Sequence, residues 1–136
     1  MLKRFGISLE EELLKDFDAL LKRHGYHNRS EALRDLIREA LIKEEWASGS
    51  QKTVAAVVIV YDHHQANLAQ KLTGLQHKNY QKIIASLHSH LDEHNCLEVT
   101  ILSGPSNTVQ QLANEIISLR GVKYGKLIPV SYRQLI

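Results

Sequence analysis

The residue pattern predicts an α+β chain of two units: a strand followed by two helices, then a sandwich of order βαββαβ. Three features carry this. Residues 3–9 alternate with period two ahead of two helical stripes, residues 53–61 form a nearly continuous β-branched run, and apolar spacing then switches between helix and strand periods. With 136 residues, 43% hydrophobic, and no polar low-complexity tract, the chain has material for two small domains.

In Lys3-Arg4-Phe5-Gly6-Ile7-Ser8-Leu9, alternation puts Phe5, Ile7 and Leu9 on one face and Arg4, Gly6 and Ser8 on the other, which predicts a strand. Ser8 and Glu11 have capping-box spacing, and Leu13, Leu14, Phe17, Leu20 and Leu21 predict a helix over 10–24 that Gly25 stops. Asn28, with Glu31 three positions on, is placed to cap a second helix carrying Ala32, Leu33, Leu36, Ile37, Ala40 and Leu41. A single strand with two helices buries too little to fold alone, so a twin is expected, its strand pairing antiparallel to make a ribbon with Arg4, Gly6 and Ser8 outward. Such a ribbon fits the DNA major groove, and the second helix's start at Asn28-Arg29-Ser30 suits flanking phosphates. This segment resembles the ribbon-helix-helix repressors. From the pattern alone, a structural dimerising hairpin and a helix-turn-helix remain alternatives.

Small and polar residues at 47–52 predict a linker between a domain at 1–46 and one at 53–136, with Trp46 packing at the end of the second helix. In the second domain, strands are expected at 53–61, 83–91, 97–102 and 122–130, a helix from Leu68 to about His77, and another through Val109, Leu112, Ala113, Ile116 and Ile117. Two βαβ halves of similar length point to a ferredoxin-like sandwich, a fold that hosts many functions.

Net charge is +2, and residues 1–45 carry nine Lys/Arg against ten Asp/Glu, so DNA binding must rest on local placement of cations rather than a bulk basic footprint. No apolar run is long enough for a bilayer, and Met1-Leu2-Lys3-Arg4 does not lead into a signal peptide's apolar core; the expectation is a cytoplasmic protein with no membrane partner. A single cysteine, Cys96, precludes an internal disulfide framework.

Side chains two apart on a strand share a face, so His88 and His90 project together. If the hairpin sets His90 opposite Cys96, His88 lies opposite Glu98 and all four share one face; a register one residue different would send Cys96 to the far side. His77, ending the preceding helix, is the best-placed fourth donor, from the same chain or a neighbour, and Gln76 and Glu98 suit the orienting of an imidazole. Three imidazoles and a thiolate fit Ni(II), Cu(II) or Zn(II), so the donors alone do not choose the metal. A pair of ordinary strand histidines with a buried cysteine is the other account of this pattern. His94, in the turn, is a weaker candidate, and His63 and His64 are expected to be solvated loop residues outside the site. No acid/base pair or nucleophile constellation points to an enzyme.

Taken with the ribbon segment, Gln76-His77, Leu87-His88-Ser89-His90, Cys96-Leu97-Glu98 and Arg120-Gly121-Val122 give essentially the whole chain a close resemblance to the nickel-responsive regulators of the NikR type. The resemblance implies a homotetramer, a dimer of dimers with ribbon-helix-helix pairs flanking ACT-like domains. It implies one Ni(II) per subunit in a planar site of His88, His90 and Cys96 from one subunit and His77 from its neighbour. Lys3, Arg4, Gly6 and Ser8 would read double-stranded DNA at a palindromic operator, Asn28, Arg29 and Ser30 would contact phosphates, and the outcome would be repression of nickel-uptake genes. A secondary cation site at Glu31 and Asp35 is also implied, beside the plainer account of a solvated helix face. Gly6 stands where some members carry threonine and offers no side chain to a base; Gln65-Ala66 stands where some carry basic residues, so no phosphate contact is expected there. The competing expectations are a regulator sensing a small molecule such as an amino acid, or another metal (Cu, Zn or Co).

Overall fold

The computed structural model describes residues 1–65 and 67–133. The expectation about Ala66 and the expected end of the second domain at residue 136 lie outside the described residues. The chain divides into two compact units, Met1–Ala40 and Leu41–Ile136, so the division falls within the second helix rather than after it.

In the first unit, α1 spans Glu11–Arg23 and α2 begins at Arg29 and runs to Ser48. The end of α1 follows from Gly25, whose φ of 76° is open to glycine at little cost. That conformation lets Tyr26 N–H reach Leu21 O (3.0 Å) and Gly25 N–H reach Lys22 O (3.3 Å), satisfying carbonyls the helix leaves over. Asn28 caps α2 as its position predicts, its Oδ1 accepting from Glu31 N–H at 2.9 Å. The Ser8–Glu11 capping box is not formed: Glu10 is the N-cap of α1 and makes no side-chain cap bond. Residues 1–10 carry no strand assignment in the single chain. A β ladder requires a second strand, and the expected one belongs to a twin.

In the second unit, β1 (Lys52–Asp62), α3 (Leu68–Lys78), β2 (Ile83–His90), β3 (Asn95–Pro105), α4 (Ser106–Ile117) and β4 (Val122–Val130) realise the expected βαββαβ order. The sheet runs β2-β3-β1-β4, every neighbouring pair antiparallel, the ferredoxin-like arrangement of ACT-like domains. Alternate residues of β1 (Ala55, Val57, Ile59 and Tyr61) are buried with Leu68 and Leu72 of α3 and Val109, Leu112, Ala113 and Ile116 of α4. The intervening Val54, Ala56, Val58 and Val60 are half-buried in one chain, so the run reads as doubly buried but has one covered face here. Gly125 lets α4 sit this low: a Cβ there would come within 2.8 Å of Ile117 Cγ2. The last turns of α2 belong to this unit, with Trp46 Nε1 donating to Val130 O (3.3 Å) and Ser106 Oγ to Trp46 O (3.2 Å).

Candidate metal centre

The β2/β3 register pairs His90 with Cys96 and His88 with Glu98, and β1/β3 pairs Tyr61 with Cys96. The sulfur and both strand histidines therefore share the sheet face that α3 and α4 cover. The turn that sets this register is built by Asp92, whose Oδ1 accepts from His94 N–H and Asn95 N–H at 2.8 Å each while Asn95 Nδ2 donates to its other oxygen. Those bonds hold the Asp92 carboxyl down to about 2. Leu91 N–H closes the hairpin on Asn95 O at 2.8 Å.

Cys96 is fully buried, and burial first, then the carboxylates of Asp62, Asp92 and Glu98, pushes its thiol up. Its Sγ lies 3.3 Å from His90 Nδ1 and 3.4 Å from His63 Nδ1. His63, His90 and Cys96 can each offer a donor atom within 4.8 Å of the other two. His63 gets there because its N–H donates to His94 O (3.1 Å), tying the loop after β1 to the hairpin turn, while Asp62 Oδ1 accepts from His64 N–H (2.9 Å). The one sequence signal for His63 is its position just beyond Tyr61 at the end of β1. That position speaks only once Tyr61 is known to lie beside Cys96, which no residue count supplies.

His88 stands beside this trio, its ring 5.1 Å from that of His90 and its Nδ1 3.4 Å from Tyr61 Oη. Burial, with Glu98 and Cys96 nearby, pushes the Tyr61 phenol up to about 12, so it remains protonated and able to donate. His77 is exposed on the last turn of α3, outside the cluster. Its neighbour Gln76 reaches inward, Nε2 lying 3.5 Å from Glu98 Oε1, which also accepts from Ser86 Oγ at 3.1 Å. Glu98 is only 7% exposed, and its Oε2 has no hydrogen-bond partner among the described residues. A buried carboxylate oxygen left over beside imidazoles and a thiol is what a donor set awaiting a cation and a further imidazole N–H presents. The residues thus fit a borderline divalent metal.

In the first unit, Lys3, Arg4, Gly6 and Ser8 are exposed ahead of α1, and Asn28 and Ser30 stand at the start of α2. Arg29 is engaged within the chain: its Nε and Nη2 grip the two Asp18 oxygens at 2.9 Å each. Asp35 accepts from Tyr26 Oη (2.7 Å) and lies 3.6 Å from Arg38, while Glu31 is half-buried; the pair implied as a secondary cation site has protein partners on one member.

A candidate metal centre in the second unit and a two-helix first unit behind an exposed N-terminal segment point to a class, the ligand-sensing transcription regulators, and the comparisons specify it. Residues 54–130 match the family model described as NikR C terminal nickel binding domain, and residues 3–44 match the ribbon-helix-helix protein, copG family. A provisionally named nickel-responsive regulator of Geobacter sulfurreducens is 51% identical over 92% of this chain and 90% of its own length. One of Anaeromyxobacter dehalogenans is 50% identical over 96% of each. A solved structure of an uncharacterized protein from Thermotoga maritima shares the fold at TM-score 0.52 and 18% identity, covering 58% of this chain and 98% of that one. The chain belongs to the nickel-responsive regulator family, a family of DNA-binding regulators and not of enzymes.

Proposed function

We propose that the protein is a nickel-responsive repressor of nickel-uptake genes, a cytoplasmic homotetramer that grips a palindromic operator when Ni(II) fills one site per subunit. His88, His90 and Cys96 would serve from one subunit with His77 of the partner subunit. The observation that carries this reading is the register: His90 beside Cys96 and His88 beside Glu98 on one face. His77, exposed at the end of α3, is available to a second chain rather than to its own cluster. A bound ion would supply a bond between subunits, favouring the assembly in which both ribbons meet their half-sites. The chain's own groups orient the donors: the Tyr61 hydroxyl toward His88 Nδ1, and Glu98 Oε2 toward an incoming imidazole N–H.

At the other end, exposed Phe5, Ile7 and Leu9 and a groove lined by Leu13, Phe17, Leu33 and Leu36 favour a second copy that pairs the strands and covers this surface. Arg4, Ser8 and Lys3 would then read base edges; Gly6 offers only backbone. Because Arg29 already holds Asp18, phosphate contact at Asn28-Arg29-Ser30 would rest chiefly on the helix start and less on the guanidinium.

Nickel titration followed by ultraviolet absorption tests the site. A thiolate-to-nickel charge-transfer band saturating at one ion per subunit is expected, and it should vanish in Cys96→Ala. Nickel binding with no such band would sink the assignment of Cys96.

A further inference from the structure

We propose that Asp18 is an intramolecular lock on Arg29, withholding the guanidinium charge from DNA phosphates and so setting how tightly the first unit holds any duplex. The lock rests on the reading above that the start of α2 meets the phosphate backbone.

Arg29 is the first residue of α2, and Asp18 lies on α1. Their contact is a fork: Nε and Nη2 each donate at 2.9 Å, to different oxygens of one carboxylate. Arginine takes a phosphate with the same geometry, so Asp18 occupies donors that a backbone phosphate would use. The hydrogen bond from Arg29, with its charge, holds the Asp18 carboxyl below the ordinary carboxylate range, so it is ionised at neutral pH.

The place of the pair gives the lock its effect. The Arg29 and Asp18 side chains are 56% and 45% exposed, so they stand at the surface a duplex would approach rather than in a core. A cation at the start of a helix also meets the positive end of the helix dipole, which favours keeping a carboxylate beside it. Residues 1–45 hold nine Lys/Arg against ten Asp/Glu, so one neutralised arginine is a sizeable share of the charge available to DNA. A pair with no net charge releases no counterion from the backbone.

The test uses the full nickel-loaded chain and a mixed-sequence DNA duplex, with affinity followed as salt is varied. Asp18→Asn frees the guanidinium: affinity at about 0.1 M salt should rise roughly three- to tenfold, and the slope of log affinity against log salt should steepen by about 0.9 for each Arg29 on the duplex. Asp16→Asn removes the same charge from an exposed site on α1 and, with longer-range charge screened, should change affinity by less than about twofold. Asp18→Asn/Arg29→Gln deletes the pair without stranding a charge and should bind within about twofold of wild type, a result that checks the lock even where Asp18→Asn alone loses helix by circular dichroism. A gain in Asp18→Asn no larger than in Asp16→Asn would overturn the proposal. So would a loss of about tenfold with a shallower slope in the double variant, since that would put Arg29 on the phosphate in wild type. Ser30→Asp, which sets a carboxylate at the start of α2, separates the two readings. Binding lost there with no gain in Asp18→Asn removes the lock and leaves the phosphate contact; binding unchanged there removes both.

Discussion

Cys96 shows how one residue's setting decides its chemistry. Fully buried with its thiol pushed up, it is a poor nucleophile; beside two imidazole nitrogens it would, on the proposed reading, surrender its proton to a cation. Asp18 shows the same dependence in the first unit. The hydrogen bond from Arg29, reinforced by its charge, holds the carboxyl below the usual range. A folded value below the unfolded one means stability present above the ordinary carboxylate range, about 3.9, and lost as pH falls through the lowered value. The pair is solvent-exposed, so the effect is small. In an acid titration followed by helical circular dichroism, wild type should lose helix content toward low pH in part through this pair, and Asp18→Asn should lack that part; coincident acid limbs would refute the contribution. His63 is the residue that sequence reasoning left outside the site. Adjacent histidines beside an aspartate at a strand end read as solvated loop, and it takes the long-range pairing of Tyr61 with Cys96 and the bond from His63 N–H to His94 O to bring His63 to the sulfur.

Elements were legible where local physics suffices. The α2 cap at Asn28, the Gly25 stop and the β-branched β1 each follow from groups within a few residues of one another. The hairpin was nearly so: His90 and Cys96 flank a turn short enough that Asp92 can bond the amides of His94 and Asn95, which fixes the parity. The Ser8–Glu11 capping box failed because a spacing match does not say where the helix starts, and α1 begins after Glu10. Residues 3–9 carry no strand assignment in a single chain, since a ladder needs a second strand, which the proposed twin would supply. Asn28→Ala should cost about 1 kcal/mol through loss of the bond to Glu31 N–H, read as a lower denaturation midpoint at unchanged slope. A midpoint equal to wild type would show that the cap is dispensable.

At the scale of the whole molecule, one chain leaves two kinds of surface wanting a partner. The first unit exposes Phe5, Ile7 and Leu9 beside an apolar groove, and the second exposes Ile84 and Leu87 along the edge strand β2. Neither can be satisfied by rearrangement within so short an element, which favours self-assembly of each unit. Unfolding of the first unit should then depend on protein concentration, the midpoint temperature rising with each dilution step reversed; a midpoint invariant over a hundredfold range of concentration would point to a self-sufficient monomer. Assembly is also where residue spacing alone says least: it leaves His77 open to its own chain or a neighbour, and only the folded chain shows it exposed outside the cluster.

On the proposed reading, a metal held at Cys96 is what confers operator binding. Footprinting on an operator fragment, with and without Ni(II), in wild type and Cys96→Ala, tests it most directly. Protection that appears with nickel in wild type and is lost in Cys96→Ala is the predicted result; protection in Cys96→Ala that responds to nickel as wild type does would contradict it.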